Sequence, residues 1–341
     1  MRIHLRRMQP GSRAPAPLLI AAIVLALAAG GGHAGQQQQA SPQPSQQLSQ
    51  QPSQQHQPQA AQQPPPPERA EQQGYRFQIL TGDDSAVTNR IAEDLYKRLV
   101  PTFASFRTEL AQKRRMLYVA IGPTALRDAM SRRCDCVVIS AYTSSQVWRT
   151  VTSRLPKKGR LSATAIYAEP APHDQMRLAE LLYGRPARVG VLLGPDTAFL
   201  RPALHDATEV VMYTPGDDLN HTLNSMTRAE TLLALPDSDI YNAENVRNIL
   251  LSTYRRKQGV IGFSADMVKV GALATTYSEI EDINAQVAEI AAHFVATGEL
   301  GEPRFPRYFR TVINEGVASS LDLRVTDAAR QFARRAPGAT Q

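Results

Sequence analysis

Small hydroxyl residues and glycines recur in this sequence directly after short apolar runs. They are Thr81, Gly82, Asp83 and Ser85; Gly122, Pro123 and Thr124; Ser140, Tyr142 and Thr143; Gly194, Pro195 and Thr197; Asp237, Ser238 and Tyr241; and Phe263 and Ser264. Taken singly, each Thr, Ser or Asp reads as the cap of a following helix. Taken together at six run ends, they are groups that hydrogen-bond a small polar ligand without strong acid–base chemistry. A catalytic set is not assigned. The closest approach to a nucleophile elbow, Gly262-Phe263-Ser264-Ala265-Asp266, lacks the second glycine that the tight turn requires. His173, His205, His221 and His293 show no metal-ligand spacing, and no GxxxxGKS, GxGxxG or HExxH motif occurs, so neither a metal nor a cofactor is expected. Cys134 and Cys136 are two apart, which on a strand puts both on one face. Separate thiols and a local disulfide both remain open, while a metal would want further ligands.

The elements that must hold these groups follow from hydropathy. Apolar runs at 75–82, 116–122, 136–140, 188–194, 209–215, 231–237 and 259–264 alternate with helical patterns, the signature of βαβ units on parallel sheets. Helices are expected at Ser85–Leu99 and Ser278–Thr297. In the second, Ile280, Ile283, Val287, Ile290 and Phe294 share a face, Ser278 with Glu281 reads as a capping box, and Gly298 supplies the stop. A last strand is expected at 308–314. Parallel sheets bind ligands outside the carboxyl ends of their strands, where the hydroxyl residues fall. Thr81, Thr124, Ser140, Tyr142, Asp237, Tyr241 and Ser264 are therefore the expected ligand-binding residues.

The 341 residues suit about two domains, with 38 Lys and Arg against 31 Asp and Glu giving +7. Of that charge, Arg2, Arg6, Arg7 and Arg13 lie ahead of the apolar run Leu18 to Ala29, which is too short to span a membrane and suits a signal peptide over 1–34. Residues 35–74 hold 17 Gln and 8 Pro and read as a disordered linker. Arg330, Arg334 and Arg335 fall in a tail, 327–341, expected to fray. The remaining chain is close to neutral and carries no interleaved aromatics and cations, so nucleic acid is not an expected partner.

The runs RVGVLLGP (188–195), LLALPDSDIYNAENVRNILLSTYRRKQGVIGFSADMVKVGALATTYSEIEDINAQVAEIAAHFV (232–295) and VINEGVASSLDL (312–323) resemble the substrate-binding proteins of ABC transporters. Within these the chain is most similar to the group that includes proteins described as tryptophan and tyrosine binders. The resemblance covers about 75–325 and is carried by Pro236 and Asp237, Tyr254 and Arg255, Gly262 to Ser264, Gly271 to Leu273, and Ile313 with Asn314. It implies an α/β fold of two Rossmann-like lobes joined by a hinge, periplasmic-binding-protein-like of type I. Lobe 1 would be 75–185 plus 278–298, and lobe 2 would be 186–270 plus 306–325. It implies a non-enzymatic, periplasmic protein that closes on a small polar or aromatic, amino-acid-like molecule and delivers it to an ABC permease. A sensor or accessory module that keeps the fold but binds a protein partner, such as a membrane sensor or receptor, is the alternative.

Overall fold

The computed structural model describes residues 76–105, 116–153 and 161–337, all within one compact unit. The expected leader, 1–34, and the whole of the expected linker, 35–74, lie outside the described residues. Two parallel sheets organise the chain. The first has the order β1-β2-β3-β4, with β1 Arg76–Thr81, β2 Met116–Ile121, β3 Cys136–Thr143 and β4 Ser162–Tyr167. The second has the order β10-β9-β8-β7-β5-β6. Its strands are β5 Val189–Leu193, β6 Glu209–Met212, β7 Thr231–Leu233, β8 Gly259–Ile261, β9 Ala274–Tyr277 and β10 Arg310–Ile313, the last antiparallel to β9. The strands β4 and β9 were not anticipated. Each is short and merges in sequence into the polar or helical stretch that follows, so hydropathy alone does not isolate it.

Strand alternation sorts the first core into two layers. Leu117, Val119, Ile121, Val137, Ile139 and Ile166 face α1 (Ala86–Ser105) and α8 (Ile280–Thr297). Tyr118, Ala120, Val138 and Ala165 face the opposite way, toward α2 (Gly122–Ser131) and α3 (Ser145–Thr152). All three crossovers step in the same direction across the sheet, yet α1 lies on one face and α2 and α3 on the other. This is a difference in the face on which the described connecting helices pack. Its consequence is local: the chain leaves β1 and β2 toward opposite faces, which opens a crevice at their carboxyl ends.

The second sheet has its own reversal. A 3-10 segment, Ala198–Leu204, connects β5 to β6 on one face, burying Leu200 and Leu204. Helix α5, Leu219–Ser225, returns across β5 to β7 on the other face, burying Leu223. Helix α4, Pro172–Tyr183, buries Met176, Leu178, Ala179 and Leu182 in this second core, although its sequence position had suggested lobe 1. The apolar stripe on α4 has its complementary surface on the second sheet, and that decides its place. Further helices are α6 (Ala243–Arg255), α7 (Ala265–Lys269), α9 (Glu315–Ser320) and α10 (Asp327–Arg330).

Three crossings join the lobes. They are the segment after β4, the step from β9 into α8, and the return from α8 to β10, where Arg304 forms a parallel bridge with Ile166 of β4. Helix α8 begins at Ile280, two residues later than expected, and its cap lies one residue later. Its capping box uses Glu279 and Asp282, while Ser278 Oγ is spent donating to the Tyr308 carbonyl at 2.6 Å. The described part of the tail, 327–337, does not fray as expected. Ala329 is fully buried, and Arg334 exchanges both backbone hydrogen bonds with Phe309, at 2.7 and 2.9 Å, beside a contact between the Phe309 and Phe332 rings. Those apolar contacts offset the ordering entropy that the charged composition alone would leave uncompensated. Cys134 and Cys136 are joined as a disulfide.

Candidate functional site

In the second lobe the reversal between β5 and β7 places Gly194 against Asp237. A side chain on Gly194 would put its Cβ 2.5 Å from Asp237 Oδ2, so the glycine is what admits the carboxylate. Thr197 Oγ1 donates to Asp237 Oδ2 at 2.7 Å and accepts from Gly194 N at 3.0 Å, while Asp239 N donates to Asp237 Oδ1 at 3.1 Å. Asp237 is 3% exposed. Tyr241 N donates to the Asp237 carbonyl at 2.7 Å, which turns the Tyr241 ring beneath the same loop. The Tyr241 hydroxyl is buried with no hydrogen-bond partner, and its ring meets Phe263 edge-on at 5.9 Å. Burial, with the nearby Asp237 charge, pushes the phenol well above its ordinary range, so it stays a neutral donor and acceptor. Ser264, next to Phe263, caps α7 by accepting from Met267 N at 3.3 Å.

In the first lobe Thr81 is exposed at the end of β1, and Thr124 is exposed near the start of α2. Thr124 Cβ would come within 2.8 Å of a Cβ on Gly82, so these two strand ends are packed edge to edge at the β1/β2 crevice. Ser140 is not at a strand end. The pairing of β3 with β4 continues past it to Thr143, leaving Ser140 fully buried with its hydroxyl unpartnered. Tyr142 sits at the register shift between Ser140 and Thr143, with φ of 58°. Its hydroxyl donates to Asn284 Oδ1 at 2.8 Å, and Asn284 Nδ2 donates in turn to Asp94 Oδ2 at 2.9 Å. Tyr142 thus ties α8 and α1 to the sheet, and burial raises its pKa.

The structure therefore brings Asp237 and Tyr241 together, sets Thr81 beside Thr124 through Gly82, and turns Ser140 and Tyr142 inward. Sequence reasoning passed over Glu169, Ser145, Arg149 and Phe199. Glu169 Oε1 accepts from Ser145 N at 2.8 Å at the start of α3. One turn on, the Arg149 guanidinium lies over the Phe199 ring, 5.0 Å from its centroid, and so bridges from the first lobe to the loop that carries Thr197. The only signal for Glu169 was a lone acid directly after an apolar run. Arg149 and Phe199 carried none, because their contact joins residues of different lobes.

Among the described residues no cluster of His, Cys, Asp or Glu could hold a metal, and no helix is long and apolar enough to cross a membrane. A surface cavity of about 280 Å³ is lined by Ile166 near the end of β4, by Ile290 and His293 of α8, and by Arg304 of the third crossing.

No protein-family profile and no curated protein sequence matches the chain. Solved structures do. A substrate binding protein with adhesive properties from Clostridium difficile, in its ligand-free, open form, matches at 13% identity with a TM-score of 0.54, over 75% of this chain and 98% of that one. An ABC domain in complex with L-Trp from Streptococcus pneumonia matches at 15% identity with a TM-score of 0.48, over 77% of this chain and 99% of that one. What the Clostridium difficile match supports is the fold: this chain has a two-lobed α/β architecture, periplasmic-binding-protein-like of type I.

Proposed function

We propose that the protein is an exported solute-binding protein that holds a small polar or aromatic, amino-acid-like molecule between its lobes and delivers it to an ABC permease in the inner membrane. The observation that carries this reading is the Thr197, Asp237, Tyr241 and Phe263 group. A buried carboxylate, an unpartnered buried phenol and an aromatic edge converge where the second sheet reverses its strand order, the usual ligand position in such sheets. The three crossings supply the hinge about which such lobes close. Ser264, the candidate nucleophile in the sequence, accepts from Met267 N as the cap of α7.

The test is a thermal-shift screen of the mature chain against amino acids and related metabolites. A ligand at a hundred times its dissociation constant adds about 2.7 kcal/mol of stability. A response to one chemical class supports the reading. Silence across the panel, with capture of a membrane sensor or receptor in its place, supports the accessory module instead.

A further inference from the structure

Glu169 stands in the first crossing, just past the carboxyl end of β4, and is 4% exposed. Its Oε1 is held by Ser145 N, while its Oε2 is buried with no hydrogen-bond partner. Ser145 Oγ, on a residue 1% exposed, makes no hydrogen bond of good geometry, although it lies near enough to the Glu169 carboxyl to favour its ionised form. No ion pair is made to Glu169 among the described residues. Buried carboxyls are ordinarily hydrogen-bonded on both oxygens or paired with a cation, so this arrangement costs stability unless something else completes it. Four residues along α3, about 6 Å of helix rise, Arg149 reaches Phe199, which lies two residues beyond Thr197. Glu169 on one lobe and the Asp237 group on the other therefore flank the same interlobe contact.

We propose that Glu169, with the Ser145 hydroxyl, is a first-lobe recognition point for a cationic amino group on the ligand. This rests on the solute-binding reading above and narrows its ligand class. An ammonium offers three donors, enough for Glu169 Oε2 and Ser145 Oγ, and brings the counter-charge that the site lacks. A carboxylate in the same place would meet like charge, and a neutral hydroxyl would supply no charge.

Proton release accompanies such binding. Burial holds the Glu169 carboxyl above its usual range in the free protein, against the lowering effect of its contacts with Ser145. An ammonium beside it favours the ionised form, so the bound state has the lower pKa. Affinity for an amine then rises with pH up to the free carboxyl's own range and levels off above it. The titratable group shown to interact with the Glu169 charge is Tyr167 on β4, which also interacts with Arg149 on α3 and Glu302 in the third crossing. Any pH dependence from these groups persists when Glu169 is changed.

The experiment is titration calorimetry in two buffers of different ionisation enthalpy, with two sets of probes. L-phenylalanine is compared with phenethylamine and 3-phenylpropionate, and L-serine with ethanolamine and 3-hydroxypropionate. The expected result is that at least one amine-bearing probe binds with release of a proton and that its deaminated counterpart does not. Glu169→Gln, which keeps the shape and removes the buried acid, then weakens that binding roughly tenfold to a hundredfold and abolishes the proton release. Equal binding of the deaminated acids, or full affinity and unchanged buffer dependence in Glu169→Gln, overturns the inference and leaves solute binding intact. Failure of every probe to bind the native chain overturns the amine assignment, and the broader screen above then decides separately whether any solute binds.

Discussion

Thr197 Oγ1 sits 2.7 Å from Asp237 Oδ2, and Gly194, three residues before Thr197, is the residue type that leaves room for that carboxylate. The three residues act as one unit, so altering any of them displaces the same oxygen. Gly194→Ala is expected to push Asp237 out of position and weaken binding of any ligand found in the thermal-shift screen by at least about tenfold, a loss near 1.4 kcal/mol. Thr197→Val removes one donor and is expected to cost about 1 kcal/mol of stability in denaturant unfolding. Unchanged ligand affinity in both variants would remove this group from the binding site.

Gln175, 1% exposed near the start of α4, joins β8 and β9 at the point where the chain turns toward the hinge. Its amide nitrogen donates to Thr275 Oγ1 at 2.9 Å and to the Gly262 carbonyl, and its oxygen accepts from Thr276 N at 2.8 Å. Gln175→Ala strands several buried polar groups at once. Urea unfolding is expected to show a loss of about 2–3 kcal/mol, and Gln175→Leu, which fills the space, is expected to recover little of it.

The buried Glu169 makes stability depend on pH in a definite sense. Its folded-state pKa is raised, chiefly by burial, so the unfolded chain gives up this proton at lower pH than the folded chain does. Its contribution is therefore most favourable in acid and is lost as pH rises from the ordinary glutamate range through the raised folded value. Glu169→Gln is expected to unfold at higher temperature than the native chain above that window, and the two are expected to converge below it. Thermal melts across pH check the sign, and a native chain that is the more stable of the two at neutral pH would contradict it.

Arg149 over Phe199 spans the lobes, while Phe199 is partly buried against the second core. An exposed cation–π contact is worth about 0.5–1 kcal/mol, enough to change an open-to-closed ratio by roughly twofold to fivefold. Arg149→Ala and Phe199→Leu are each expected to increase the radius of gyration in small-angle scattering. The double variant should add little to either single one, since both remove the same contact.

The disulfide between Cys134 and Cys136 closes a very short loop. Chain-entropy reasoning gives such a link only about 1–2 kcal/mol, because little freedom is removed from the unfolded chain. Reduction, followed by mass spectrometry of alkylated peptides, is expected to convert both residues while leaving far-ultraviolet circular dichroism unchanged.

The sequence by itself determined the elements whose burial is one-sided or complete. VVIS in β3 and VGVLL in β5 are apolar because both faces of their sheets are covered, and Ile283, Val287 and Phe294 on α8 repeat because one face of that helix is buried. It also put Asp237 and Tyr241 near one another, since they are neighbours along the chain and share a loop. Tertiary structure alone decided matters that depend on residues far apart in sequence. Ser140 reads as a strand end until pairing with β4 carries β3 past it, and Tyr142 reads as a cleft residue until α8, 138 residues later at Ile280, offers Asn284 as its partner. The tail's arginines read as a solvated end until Phe332 meets Phe309 and Arg334 finds its backbone partner. Glu169 is the clearest case. A lone carboxyl after an apolar run has no distinguishing pattern, and its burial, its bare oxygen and its place beside the interlobe contact exist only once the two lobes are packed.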